Sequence, residues 1–306
     1  MNSPAFHPLS TISDAAKAWL IANPPQPRTM VTSDNAEQVR AAVRDGYGPA
    51  IAAVRAELTF TETDVTIGGV DCSQIAGRSS SPPVLYFFGG GHTVGSPEED
   101  LTITAPLAVD AGVTVTAPRY SLAPEAPYPA ALEQALAVYR ALLEHHRDGV
   151  VVVGESAGGN LALALTQRAR SEGLALPRAL ALLSPWSDLA FTGDSQLANR
   201  DPSLFMTDGD LVAMADSYRG DTPASDPLIS QIHADFDGFP PTLITTGTRD
   251  LLLSDCVRVA HAMGQANVDV TLRVWEGMWH VFEFYREFPE ARESMREVSE
   301  FVRRFV

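Results

Sequence analysis

The sequence predicts an α/β fold with a mostly parallel central sheet and helices on both faces. Three observations carry that expectation. Short apolar runs recur at 84–88, 113–116, 150–153, 180–183, 241–245 and 270–274. Segments with apolar residues every three or four positions alternate with several of them, as helices crossing over a parallel sheet do. Reactive residue types then fall just past the runs: Gly89 to Gly91, Ser156, Asp250 and His280. Sites in such sheets form beyond the carboxyl ends of the strands.

The first sixty residues read as helical. Ser13 and Asp14 cap a helix through Ile21, which Asn23-Pro-Pro-Gln-Pro27 stops. From 36 to 58, Val39, Val43, Ile51 and Val54 recur at helical spacing, with Gly46 and Gly48 expected to interrupt the helix. From Asp64 onward strands and helices alternate. The run Val84-Leu-Tyr-Phe-Phe88 ends in three glycines, and 113–116 leads to a helix at 130–145. The run 150–153 leads into a helix after Ser156, and 180–183 follows it. Beyond 241–245 come a helix at 256–263, the run 270–274 and a terminal helix ending near Phe305. The alternation breaks between 190 and 237, where Asp201-Pro-Ser-Leu-Phe-Met206, a short helix at 208–218 and a turn-rich stretch at 220–227 stand. Segments 1–60 and 190–237 therefore read as a helical cap over the mouth of the sheet. Segments 61–189 and 238–306 read as the catalytic domain.

The bulk properties restrict function. The chain has 306 residues, 45% of them hydrophobic, with no internal repeat and no low-complexity tract. No apolar run reaches the length of a membrane span, and the N-terminus lacks a basic region followed by an apolar core. A cytoplasmic protein without stable membrane association is expected. The formal net charge of −16 argues against nucleic acid, whose phosphates need a basic surface. Cys72 and Cys256 are far apart and fit neither a disulfide framework nor a metal site, so two reduced thiols are expected.

The stretch Val150-Val-Val-Val-Gly-Glu-Ser-Ala-Gly-Gly-Asn160 reads as a buried strand, a sharp Gly-x-Ser-x-Gly turn and a helix that begins at once. The short motif alone occurs by chance in loops; the strand before and helix after give it meaning. Gly154 and Gly158 remove side chains where strand and helix cross, leaving Ser156 clear of the sheet as the candidate nucleophile. A neutral hydroxyl attacks poorly, so a base must take its proton. His280 fits best, following 270–274 through Trp275-Glu-Gly-Met-Trp279. His145 and His146 end a helix and are expected in solvent, and His7, His233 and His261 have no comparable setting. A carboxylate must fix the base's tautomer. Asp250 stands just past a strand; Asp255 is the competitor, read instead as a helix cap. The glycines of Phe88-Gly-Gly-Gly-His92 let backbone N–H groups approach a developing oxyanion, with Gly90 and Gly91 as two donors and Ala157 as the third. The loop lacks the lysine and Ser/Thr of a phosphate-binding loop.

With these pieces in order, the chain resembles the hormone-sensitive-lipase-like family of bacterial α/β-hydrolases, carboxylesterases with a helical cap. The likeness covers nearly all of 84–282 and includes Tyr120-Ser-Leu-Ala-Pro-Glu-Ala-Pro-Tyr-Pro, Leu183-Ser-Pro-Trp186, Asp250-Leu-Leu-Leu-Ser-Asp255 and Gly277-Met-Trp-His-Val-Phe282. It implies Ser156, Asp250 and His280 as catalytic triad and Gly90, Gly91 and Ala157 as oxyanion hole. It implies a structural turn beneath the site at 120–125. The cap would shape the acyl or alcohol pocket, in part through Phe205, Met206, Leu211, Met214 and Tyr218. Two departures stand out. The family's glycine loop opens with histidine and closes with an aromatic, whereas Phe88 and His92 stand exchanged here, which puts the usual hydrogen bond beneath the loop in doubt. His92 is then expected either to rebuild that bond or to face substrate. The acid loop has Leu251 where proline is common, which leaves a part for Asp255 open. The expected function is a serine carboxylesterase for short- to medium-chain or small cyclic esters, without cofactor or metal, acting on a small-molecule substrate. A lactone hydrolase or amidase on the same triad is the alternative, and a non-catalytic ligand-binding relative a more distant one. A homodimer through 270–274 and the terminal helix is a further option.

Overall fold

The computed structural model describes residues 11–23, 29–77, 82–200 and 208–306. Two helices come first, α1 (Asp14–Ala22) and α2 (Ala36–Glu57), then strands β1 (Thr61–Ile67), β2 (Val70–Ala76) and β3 (Pro83–Phe87). Alternation follows: α3 (Leu101–Ala111), β4 (Thr114–Pro118), α4 (Ala130–Leu143), β5 (Val151–Glu155), α5 (Ala157–Ser171) and β6 (Leu180–Leu183). The short α6 (Ser195–Ala198) and α7 (Asp208–Arg219) lie between β6 and β7 (Thr242–Gly247). The chain closes with α8 (Leu253–Gln265), β8 (Val270–Trp275) and α9 (Pro289–Arg303). The proline stop at 24–27, the segment 201–206 with Phe205 and Met206, and His7 lie outside the described residues.

The eight strands form one sheet in the order β1-β2-β4-β3-β5-β6-β7-β8. From β4 to β8 every neighbouring pair is parallel, while β2 is antiparallel to both β1 and β4. β5 is central and fully buried, which is why it reads as an unbroken valine run rather than an alternation. Each of its buried valines contributes about 1.5–3 kcal/mol relative to exposure.

The connections place the site. From β3 the chain moves outward to β4, then returns past β3 to β5. Right-handed crossovers in opposite directions put α3 and α4 on opposite faces. The order reverses at the carboxyl ends of β3 and β5, and such a switch point opens a crevice there. The glycine loop leaves β3 and Ser156 leaves β5, so both meet at this crevice.

The structure departs from the sequence reading at three places. Strand–helix alternation does not begin at Asp64, which lies within a β1–β2 hairpin, and four residues at the start of exposed β1 (Thr61-Glu-Thr-Asp64) give no apolar signal. Gly46 and Gly48 do not interrupt α2, which runs unbroken through them and Pro49. Each glycine costs about 1 kcal/mol against alanine, but the helix is anchored on both sides, by Arg40 and by buried Val54. Helix α3 went unread because it is apolar nearly all round and buried, so it lacks a periodic stripe. No helix among the described residues is long and apolar enough to cross a membrane. Both cysteines are buried free thiols, and burial pushes Cys72 up to about 11. Strand β8 ends the sheet, with Val274 exposed along that edge.

Candidate active site

Ser156 sits between β5 and α5 with φ 51 and ψ −117, a conformation L-residues rarely adopt. The sequence around it makes this possible. A Cβ at Gly154 would strike the Gly158 carbonyl, and one at Gly158 the carbonyls of Phe87 and Phe88. The Ser156 N–H donates to Leu183 of β6 (2.9 Å), and its carbonyl accepts from Trp186 (3.0 Å) and Asn160 (3.1 Å). The turn is thus fixed from both sides.

The three residues expected to cooperate are brought together from three loops. His280 Nε2 lies 2.9 Å from Ser156 Oγ, and His280 Nδ1 lies 3.0 Å from Asp250 Oδ1. With Nδ1–H donating to the carboxylate, Nε2 is left to accept the serine proton. Asp250 is wholly buried, and its oxygens also accept from Thr246 Oγ1 (3.0 Å) and the Leu252 N–H (2.9 Å). Burial opposes its ionisation, but the histidine and these donors outweigh burial and hold the carboxyl below its usual range.

Gly90 and Gly91 have φ of 94° and 63°, and a turn closed by the Thr93 and Val94 N–H groups on the Gly90 carbonyl shapes their loop. Ala157 opens α5, where the first N–H groups of a helix have no intrahelical acceptor. Gly158 brings that helix start against the root of the glycine loop. All three expected donors therefore belong to one junction.

Phe88 does not leave the loop unsupported. Its ring stacks on Tyr120 (4.1 Å between centroids, 7° between planes), and the Tyr120 hydroxyl donates to the Phe88 carbonyl at 2.5 Å. The 120–125 turn, expected to carry only structure, thus holds the glycine loop from below. From α2, Arg40 adds hydrogen bonds to the carbonyls of Thr93 and Ala123 and an ion pair with Glu125. His92 neither rebuilds the missing bond nor faces an open site. It is buried and stacked on Tyr218 of α7 (3.6 Å, 8°), its ring nitrogens make no hydrogen bond of normal geometry among the described residues, and burial lowers it to about 3. Met214 of the same helix lies directly on Gly91. The histidine loop is covered by α1, where Trp19 stacks on Trp279 (5.1 Å).

Asp255 does not cap α8. It is the third residue of that helix, and its Oδ2 accepts the N–H groups of Ser187 (2.9 Å) and Asp188 (2.8 Å) across the molecule. Burial, then the Asp188 charge, push its carboxyl well above the usual range. His145, His233 and His261 are exposed and His146 is half-buried, all apart from the site.

Sequence reasoning missed a buried acidic group behind the glycine loop. Glu155, between the motif glycine and the serine, presses its carboxylate against Gly89 and accepts a bond from that residue's backbone. Asp100, which accepts from the Tyr86 hydroxyl (2.6 Å), and Glu99 lie nearby. Burial raises Glu99 to about 7 and Asp100 to about 8. A carboxyl between a motif glycine and serine at the end of a buried strand was the available signal. Both raised groups hold protons more tightly folded than unfolded. Their stabilisation is complete below the unfolded carboxyl range and is lost as pH rises through about 7 and about 8. The melting temperature is expected to fall between about pH 5 and pH 8, and Asp100→Asn to flatten that fall. Equal slopes for wild type and variant in a pH series of thermal melts would contradict it.

Comparison with known proteins agrees with this fold. The alpha/beta hydrolase fold family matches residues 84–284. An acetyl-hydrolase of Streptomyces hygroscopicus is 35% identical over 243 residues, covering 78% of this chain and 81% of that protein. An esterase of Acinetobacter venetianus is 32% identical over 242 residues, covering 78% and 80%. Among solved structures, a hormone-sensitive lipase from a metagenome library superimposes with a TM-score of 0.86 at 32% identity, covering 96% of this chain and 99% of that one.

Proposed function

The chain belongs to the alpha/beta-hydrolase family, among the hormone-sensitive-lipase-like bacterial esterases, and is a carboxylic ester hydrolase; we propose that it is a serine esterase working through an acyl-enzyme on short- to medium-chain or small cyclic esters. The unbroken chain from Ser156 Oγ through His280 to buried Asp250, at 2.9 and 3.0 Å, carries this reading. Ser156 Oγ attacks the ester carbonyl as its proton passes to His280 Nε2. Gly90, Gly91 and Ala157 N–H groups meet the oxyanion, each worth about 3–4 kcal/mol in the transition state. Collapse of the tetrahedral adduct expels the alkoxide, which takes the proton back from His280 and leaves as alcohol. Water then attacks the acyl-serine, giving its proton to His280, and the acid departs as Ser156 is reprotonated.

The described helices of segments 1–60 and 190–237, α1, α2, α6 and α7, act as the cap. Leu211 and Met214 share one apolar cluster with Ala157, and Met214 covers Gly91, which favours a small group beside the oxyanion hole. The acetyl-hydrolase name of the Streptomyces relative points the same way.

The test is hydrolysis of p-nitrophenyl esters from acetate to dodecanoate, with lactones and anilides alongside and Ser156→Ala as blank. Turnover is expected to be highest on the shortest chains and to fall by about 10⁶-fold in the blank. Folded wild type that cleaves none of the panel, or a blank that keeps more than about 1% of wild-type turnover, would sink the proposal. Faster lactone or anilide cleavage would move the substrate class without moving the mechanism.

A further inference from the structure

Asp250 stands on a loop that its own sequence does not stiffen. A proline at 251 would confine the preceding residue to extended backbone, but Leu251 leaves Asp250 free of that restriction. What fixes the loop comes from elsewhere in the chain. Asn199, just past α6, donates from Nδ2 to the carbonyl of Asp250 (2.8 Å) and to that of Thr248 (3.1 Å). Ser195, at the start of α6, donates from Oγ to the Leu251 carbonyl (2.6 Å) and accepts from the Ser254 N–H (2.8 Å). The Ser195 N–H in turn donates to Ser254 Oγ (2.9 Å). Residues four apart on a helix share a face, so this single turn directs both side chains at one loop. Three loop carbonyls, at 248, 250 and 251, are thereby held.

We infer that Asn199 and Ser195 are positioning residues for the reaction, aligning the Asp250 carboxylate on His280 Nδ1 through the backbone of the acid loop. The inference rests on the serine-esterase reading above. The hydrogen bonds of both side chains go to the 248–254 loop, so their effect passes through Asp250. Removing the Asn199 amide frees the Asp250 carbonyl and lets the carboxylate swing from the imidazole. Small displacements of a catalytic group cost up to about a hundredfold in rate. Loss of one clamp with the carboxylate still present is expected to cost about tenfold, because Thr246 and the Leu252 N–H still hold its oxygens.

The experiment compares wild type with Asn199→Ala, Asn199→Asp and Ser195→Ala, with Ser156→Ala as blank. kcat and KM are measured on p-nitrophenyl acetate and hexanoate, together with the inactivation rate by a fluorophosphonate. Expected are a roughly tenfold fall in kcat with KM within about twofold, the same factor on both esters, and a parallel fall in inactivation. A purely structural role would lower the melting temperature and leave these rates alone in the folded protein. A pocket role would change KM or the acetate-to-hexanoate ratio. Either result overturns the inference, as does wild-type kcat in all three variants. If Asn199→Ala does not fold, Asn199→Asp keeps the shape while removing the donor, and Ser195→Ala tests the Leu251 carbonyl independently. Ser156→Ala that keeps more than about 1% of wild-type kcat would instead defeat the serine-esterase reading, so the two failures are distinguishable.

Discussion

Ser156→Ala and His280→Ala are each expected to lower kcat on p-nitrophenyl acetate by about 10⁶-fold, and the double variant by no more than either alone. The two groups act as one unit. Without the imidazole, Ser156 Oγ is a neutral alcohol with no acceptor at 2.9 Å for its proton. Without the hydroxyl, the imidazole has nothing to activate but water, in a pocket shaped around a different attack. The glycine loop and the Ala157 N–H survive in both variants, so a residual rate of about 10³ over water should remain. Single-turnover kinetics on the three proteins check this. Multiplicative losses in the double variant would mean that Ser156 and His280 do not share one proton transfer. A single variant with more than about 1% of wild-type kcat would remove that residue from the proposed triad.

The residues of that unit were legible in the sequence because each follows a strand whose composition announces it, buried β5 and β7 for Ser156 and Asp250 and the edge strand β8 for His280. Four valines fix β5 as a strand with both faces covered, and Gly154 and Gly158 allow the crossing that lifts Ser156. Parallel topology then brings the ends of β5, β7 and β8 to one edge, so order along the chain becomes proximity in space. What supports the unit was not legible, because it depends on long-range pairing that leaves no local pattern. Arg40 lies on an exposed helix 53 residues before the Thr93 carbonyl it holds, and nothing about its neighbours distinguishes it from Arg44. Tyr120 could be placed beneath the site only by resemblance, and its bond to Phe88 required the fold. Asp255 was misread for the same reason. A carboxylate near a helix start suggests a local cap, but its acceptors' partners, Ser187 and Asp188, come from beyond β6.

Asp250→Asn is expected to lower kcat by about 10⁴-fold with little change in KM, whereas Asp255→Asn should keep kcat within about threefold of wild type. The two aspartates are five residues apart and both fully buried, yet their surroundings push them in opposite directions. At Asp250 the imidazole and the hydrogen-bond donors overcome burial and favour the anion. An amide there can still fill the space, but it presents an N–H or a weak acceptor to His280 Nδ1 and lets the ring settle in the wrong tautomer. At Asp255 burial and the neighbouring Asp188 charge favour the neutral acid, and Oδ1 has no hydrogen-bond partner among the described residues. Asparagine is close in shape to that neutral acid, and its carbonyl can still accept from the Ser187 and Asp188 N–H groups. Steady-state kinetics of the two variants decide the matter, with circular dichroism to confirm folding. A loss at Asp255 comparable to that at Asp250 would make the pair a shared acid; wild-type turnover in Asp250→Asn would require a different carboxylate to orient His280.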